Sequence, residues 1–344
     1  MVEFGSDFYI MQSTCYFSND LNKNVLYEVY SDVREYANGR HALEALCKFK
    51  GWNRIWIPAY FCYEVIEYLK NVGIKVSLYD DHPLKNNDSE VVKNLPYKNG
   101  DVILRMNFFG IRGFRSNAGI GVPVIEDHTH DLLSEWAQKS DADYCIASVR
   151  KSMPIASGGI LWSPRKLSLP EVVSETAACK AMAEERYEGM KMKRDFLLGK
   201  SVDKSVFRQK MLKTEELIDK LSLSGMDEKT IAILRGINYG RWDKRKLENW
   251  KLAFNLLSES FHVLDSIHPF SIIILCETSE ERSSLRDYLI DNLIYPAILW
   301  KIPNYSEYSD ARSFSERMLS IHCDARYSKT DITEMCKRIL AFKK

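Results

Sequence analysis

The chain lacks an excess of charge of either sign. Its 48 Lys and Arg against 47 Asp and Glu leave a formal net charge of +1, so no global field draws it to nucleic acid or to an anionic membrane. It also lacks any apolar run near the roughly 20 residues that a membrane-spanning helix needs. The opening residues, MVEFGSDFYIMQS, carry no basic stretch followed by an apolar core. A cytoplasmic address is the expectation. No two of the eight cysteines (15, 47, 62, 145, 179, 276, 323 and 336) form a C-x-x-C pair, and most lie in apolar stretches, which predicts free buried thiols. A P-loop, a G-x-G-x-x-G fingerprint, an H-E-x-x-H motif and a G-x-S-x-G elbow are all absent. Those absences argue against an NTPase, a dinucleotide oxidoreductase, a zinc protease and a serine hydrolase. Repeats, low-complexity tracts and Gly/Ser linkers are missing as well.

What is present is an ordinary globular composition, 45% apolar, 28% charged and 12% aromatic over 344 residues. At roughly 150 residues per domain that length suggests two domains. Apolar runs of strand length alternate with segments of helical period up to residue 162, the signature of an α/β fold with a mostly parallel central sheet flanked by helices. The spacing predicts strands at Arg54 to Ile57, Lys75 to Tyr79, Val102 to Met106, Val122 to Glu126, Tyr144 to Ser148 and Gly159 to Trp162. Cys62, Val65, Ile66, Leu69 and Val72 mark a helix with one face on the sheet. The expected organisation is a large domain over 1–165, a helical connector over 166–260 and a small C-terminal α/β domain over 261–344. Within the connector, FRQKMLKTEELIDKL reads as an amphipathic helix, followed by another over Asp243 to Glu259. The last part predicts strands at Phe270 to Leu275 and Met318 to His322, with a helix near Glu280 to Asn292 between them. A closing helix follows, with Ser328-Lys-Thr-Asp331 as its capping box and Ile332, Met335, Cys336, Ile339 and Leu340 as its stripe.

Three clusters fall where a sheet of this kind places its ligand, after strands or at a helix start. In Val124-Ile125-Glu126-Asp127-His128-Thr129-His130 a strand runs into carboxylates and two histidines; Asp127 either serves a ligand or caps the next segment. His128 and His130 share a strand face, but no third metal ligand with suitable spacing accompanies them, so no metal is expected. In Ile146-Ala-Ser148-Val-Arg150-Lys151-Ser152, followed by Gly158-Gly159, Lys151 is either a surface lysine or a nucleophile. A neighbouring Arg150 and apolar packing would lower its ammonium pKa and open Schiff-base chemistry. Asn38-Gly39-Arg40-His41-Ala42-Leu43 is a glycine turn opening a helix, either a plain N-terminus or a phosphate site to which Arg40 adds a charged fork.

Taken in order, these clusters resemble the DegT/DnrJ/EryC1/StrS family of sugar aminotransferases, which have the aspartate-aminotransferase-like fold (fold type I) and use pyridoxal 5′-phosphate. The family's Gly-Thr/Arg-x-Ala-Leu turn is matched by Gly39 to Leu43, its strand ending in proline by Ile55 to Pro58, and its strand ending in Asp by Lys75 to Asp80. Its Ile-Glu-Asp-x-x-Gln/His element is matched by Ile125 to His130, and its Ser…Lys…Gly-Gly element by Ser148, Lys151 and Gly158-Gly159. The resemblance runs over roughly residues 35 to 342. It implies that Lys151 holds the cofactor's aldehyde and later carries the substrate proton. Asp127 would pair with the pyridine nitrogen and His130 with the phenolic oxygen, while Arg40, His41 and Ser148 hold the phosphate. Cys62 stands where the family has an aromatic ring against the cofactor, and Phe61 and Tyr63 flank it, with Tyr63 taken as the cofactor contact. Ser157 replaces the acid before the glycine pair, and a Gly-Asn-x-Arg segment is missing.

The implied activity is amino transfer from glutamate or glutamine to a keto-sugar, nucleotide-linked, in polysaccharide or secondary-metabolite biosynthesis, by a homodimer without nucleic-acid or membrane partners. Two alternatives stand beside it. One is the family's deoxygenating branch, which has histidine where this chain has Lys151. The other is a non-catalytic relative acting as a binding or assembly protein. Trp300, Lys301 and Tyr305 are candidates for the substrate pocket, or else ordinary packing and surface residues.

Overall fold

In the computed structural model, residues 3–5, 7–11 and 25–343 are described. Seven strands form the central sheet: β1 (Arg34–Tyr36), β2 (Arg54–Pro58), β3 (Lys75–Tyr79), β4 (Asp101–Met106), β5 (Val124–Asp127), β6 (Tyr144–Ala147) and β7 (Gly159–Trp162). Their spatial order is β1-β7-β6-β5-β4-β2-β3. Strands β2 to β6 run parallel, while β7 is antiparallel to both β6 and β1. All six strands predicted for this region form, Lys75–Tyr79 and Gly159–Trp162 with the predicted bounds and the others with ends shifted by a residue or two. The largest shift is at β5, where Val122 and Pro123 stay outside the ladder and Asp127 closes it. Every residue of β4, β5, β6 and β7 is buried, because helices cover both faces of a parallel sheet. β1 gives no sequence signal, being three residues of which two are polar and partly buried. It exists because it lies beside β7, Tyr36 opposite Gly159.

Helix α1 (Gly39–Lys50) begins where Asn38 Oδ1 accepts the backbone N–H of His41 at 3.0 Å. α2 (Tyr63–Asn71) buries Ile66 and Leu69 on the sheet, and the predicted stripe residues Cys62 and Val72 are its two caps. The glycine pair brings α1 to the site. A Cβ on Gly159 would lie 2.2 Å from the carbonyl carbon and oxygen of Asn38, and Gly158 has a φ of +139° and donates to Ala37 O at 2.7 Å. β7 can therefore lie directly under the turn that starts α1.

The following segment is helical: α3 (Ala177–Leu197) and α4 (Lys204–Lys220) pack side by side, and α4 buries Phe207, Met211, Thr214 and Ile218. α5 (Glu228–Gly236) and α6 (Tyr239–Leu257) lead to the C-terminal unit. There β8 (Ile272–Leu275) pairs antiparallel with β9 (Met318–Ile321), and α7 (Ser279–Asp291) and α8 (Lys329–Leu340) cover them. The capping box at Ser328 and Asp331 forms as the sequence predicts, and Ile332, Met335, Cys336 and Ile339 are buried. Burying each such side chain is worth about 1.5–3 kcal/mol, so the stripe rather than helix propensity holds α8 in place. The seven described cysteines are free, and all but Cys62 are buried; Cys15 lies outside the described residues. No helix among the described residues is long and apolar enough to cross a membrane.

Candidate active site

The sheet's connectivity reverses at β2, which has β3 on one side and β4 on the other. The crevice at the carboxyl ends of the strands beside such a reversal is where open α/β sheets take ligands. A cavity of about 250 Å³ opens there. Of the seven residues the sequence singles out, five line it: Arg40, Asp127, His130, Ser148 and Lys151.

Asp127 ends β5, and strand alternation turns it to the cavity while Glu126 points the other way. It is 6% exposed, and Oδ1 accepts the Thr129 N–H at 2.9 Å. Burial pushes its carboxyl up to about 6, against the bonds from Thr129. Thr129 Oγ1 in turn accepts the N–H of Ser148 at 2.9 Å, so the ends of β5 and β6 are tied together. Lys151 closes a one-turn 3₁₀ helix, Val149–Lys151, directly after β6, and its side chain is about half exposed. The adjacent Arg150 guanidinium, and then burial, hold its ammonium below the usual lysine value, while Glu215 opposes them.

His130 is stacked against Phe270 at 4.2 Å, Phe109 at 5.1 Å and Trp300 at 5.4 Å, and its Nδ1 accepts the Phe109 N–H at 3.1 Å. Burial pushes its pKa down to about 3, so the ring is neutral at neutral pH. At the other end of the cavity the N-terminus of α1 faces Ser148: a Cβ on Gly39 would lie 3.4 Å from Ser148 Cβ. Two buried donors here, Asn38 Nδ2 and Arg150 Nε, have no hydrogen-bond partner.

Two predicted contacts do not reach the cavity. His41 sits one step further around α1, and its ring is used in packing, Nδ1 accepting from the Ser224 N–H at 3.3 Å and Nε2 lying 3.1 Å from Leu221 O. Tyr63, the first residue of α2, is buried on the far side from the cavity. Its hydroxyl lies 3.5 Å from Ser306 Oγ, in a surface groove beside Ile66, Val76 and Tyr308. Of the three residues at the missing ring position, Phe61 and Cys62 line the cavity instead. Trp300 lines it too, 5.8 Å from Phe61, whereas Tyr305 belongs to the outer groove and Lys301 is exposed.

His128 and His130 do not share a strand face, since β5 stops at Asp127. His128 turns into a buried network, Nε2 3.1 Å from Glu126 and Nδ1 2.9 Å from Asp131. Burial opposes its protonation, but Asp131 and Glu126 outweigh it and raise its pKa well above the usual value. Glu126, His128 and Cys145 are close enough to share an ion, their donor atoms all within 4.8 Å, yet those atoms already bond one another and their neighbours. That network holds the turn behind Asp127.

Sequence reasoning missed Glu215 and Asp219, which α4 brings into the cavity. Asp219 pairs with Arg40 at 2.8 Å, and Glu215 takes both terminal nitrogens of Arg150 at 3.1 and 2.8 Å. The available signal was an acid pair four residues apart beside the buried stripe of α4.

No family model matches the chain, and no curated protein matches it in sequence. Its fold, however, is that of solved aminotransferases. PseC of Helicobacter pylori, an aminotransferase involved in the biosynthesis of pseudoaminic acid, superposes with a TM-score of 0.65 at 13% identity over 99% of both chains. Spr1654 of Streptococcus pneumoniae, a candidate sugar aminotransferase in its PLP form, gives 0.64 at 13% over 98% of both. A DegT DnrJ EryC1 StrS aminotransferase of Brucella abortus gives 0.61 at 15%, over 95% of this chain and 91% of the other. At these identities the likeness establishes the fold: an α/β chain with a mostly parallel central sheet flanked by helices.

Proposed function

We propose that the chain is a pyridoxal 5′-phosphate-dependent sugar aminotransferase, moving an amino group from glutamate or glutamine to a nucleotide-linked keto-sugar. The observation that carries the reading is the meeting, in one cavity, of Lys151, Asp127 and the N-terminus of α1. The cavity suits that cofactor at both ends. The partnerless Asn38 Nδ2 and Arg150 Nε, the N-terminal end of α1, Arg40 and Ser148 offer donors and a favourable dipole for a phosphate. The small Gly39 leaves room beside Ser148. Asp127 offers a buried carboxylate to a ring nitrogen, and Phe61 and Trp300 offer flat apolar faces.

When bound, pyridoxal phosphate supplies an aldehyde that condenses with amines and a protonated ring that withdraws electrons from the adjacent carbon. Asp127 would keep that ring nitrogen protonated, its burial making the ion pair strong. Lys151 Nζ would hold the aldehyde and, as a free amine, would carry the proton between the donor carbon and the cofactor carbon. Neutral His130, braced by Phe270 and Trp300, would orient the ring through hydrogen bonding. A homodimer in the cytoplasm is part of the proposal on resemblance alone.

The test is an absorption spectrum of purified protein with pyridoxal phosphate, then borohydride reduction and peptide mass mapping. The expected result is a visible band trapped on Lys151 and lost in Lys151→Ala. No band, or labels scattered over surface lysines, would turn the reading towards a non-catalytic binding protein.

A further inference from the structure

Glu215 on α4 gathers three cations around one carboxylate. Oε1 lies 2.8 Å from Nη2 of Arg150 and 3.6 Å from Lys151 Nζ, and Oε2 lies 3.1 Å from Nη1 of Arg150 and 2.9 Å from Nη1 of Arg186. Both arginine side chains are largely buried, 7% and 11% exposed, so Glu215 is pinned by rigid partners while the Lys151 side chain retains freedom. The remaining charged or titratable groups lining the cavities that Lys151 faces are Arg40, Asp127, Asp219, Glu64, the Cys62 thiol at the cap of α2 and neutral His130 in the main one, and Tyr239, Lys246, His322 and Asp324 in a small adjoining one. Among the described residues, Glu215 rather than any of these lies within ion-pair distance of Lys151.

We propose that Glu215 is a positioning residue for Lys151: it tethers the amine to the cavity wall and offsets the repulsion of Arg150 and Arg186. Without it, three like charges would share one wall, and the flexible lysine would swing towards solvent. The arrangement also lets Lys151 lose its charge cheaply. When Nζ becomes neutral, Glu215 keeps three hydrogen bonds from the two arginines, so no buried carboxylate is stranded. An acid paired to Lys151 alone would resist that change. Arg150's field lowers the ammonium pKa in the same direction as this geometry requires.

The inference rests on Lys151 being the reactive amine, and its test is made on the full chain without cofactor. Trace acetic anhydride is applied across about pH 6 to 11, and acetylation of the Lys151 peptide is quantified by mass spectrometry, giving the pH of half-maximal labelling. Glu215→Gln should lower that midpoint by about one pH unit, the effect of one charge at this separation screened by water. Arg186→Met should raise it, and Asp219→Asn, whose carboxylate serves Arg40, should leave it in place. Opposite signs for two variants of one ion-pair cluster separate charge from loss of fold, which circular dichroism monitors. A midpoint unchanged or raised in Glu215→Gln, or lowered equally in Asp219→Asn, would overturn the proposal. If the midpoints move as stated but no band forms with pyridoxal phosphate, the cofactor reading fails and the charge assignment survives.

Discussion

Asp127 carries a stability cost that its proposed role explains, and that cost can be measured. With its folded pKa near 6 and an ordinary value of 3.8, the folded chain holds this proton more tightly than the unfolded chain. Below the ordinary value both states are protonated and nothing is lost. As pH rises through 3.8 the unfolded state ionises first, and by pH above 6 the folded state has been penalised by the full difference, about 3 kcal/mol. About 2 kcal/mol of this falls between pH 4.5 and 7.5 on the same linkage. Asp127→Asn keeps the shape and cannot ionise, so it should gain about 2 kcal/mol on wild type between those two pH values. Urea unfolding of the cofactor-free protein at both pH values measures this difference of differences. A gap between variant and wild type that is the same at both would refute the argument. The same variant should lose cofactor-dependent turnover, as expected where stability is given up for function.

His130 has the opposite sign. Its folded pKa near 3 lies below the ordinary 6.5, so acidification favours the unfolded state, by about 2.5 kcal/mol between pH 7.5 and 4.5. His130→Gln should be spared that loss in the same urea titrations, and equal losses in variant and wild type would count against a buried neutral ring. Gly159→Ala places a methyl 2.2 Å from the Asn38 carbonyl, so the turn that begins α1 must move. Overpacking of this kind should cost about 1–3 kcal/mol in unfolding experiments. It should also weaken pyridoxal phosphate binding in a spectroscopic titration, because the helix end facing Ser148 is displaced.

Much of the architecture follows from local pattern. Apolar runs such as Val102 to Met106 and Gly159 to Trp162 are strands because a sheet covered on both faces buries every side chain, and the stripe of α8 with its capping box needs no knowledge of its neighbours. Asp127 and Lys151 were legible for a related reason: Asp127 ends a strand and Lys151 closes the short turn after the next one, and parallel topology gathers strand ends at one edge. Other features depend on chain segments far apart in sequence. β1 has no pattern of its own and forms because Gly159 lets β7 approach the turn beside it. Whether His41 or Arg40 faces the cavity depends on how α1 is rotated, and that is settled by Leu221 and Ser224, about 180 residues away. Tyr63 lines the outer groove while Phe61 and Cys62 line the cavity, because a one-residue difference at a helix start redirects a side chain entirely. Glu215 and Asp219 read as solvated charges on an amphipathic helix until α4 docks against Arg150 and Arg40. Sequence alone determined six strands of the central sheet and the closing helix, and it placed Asp127 and Lys151 near strand ends, since periodicity and strand ends are local properties. The electrostatics around Lys151 were decided only by tertiary structure, because charge pairing depends on distance in space and carries no periodic trace in the chain.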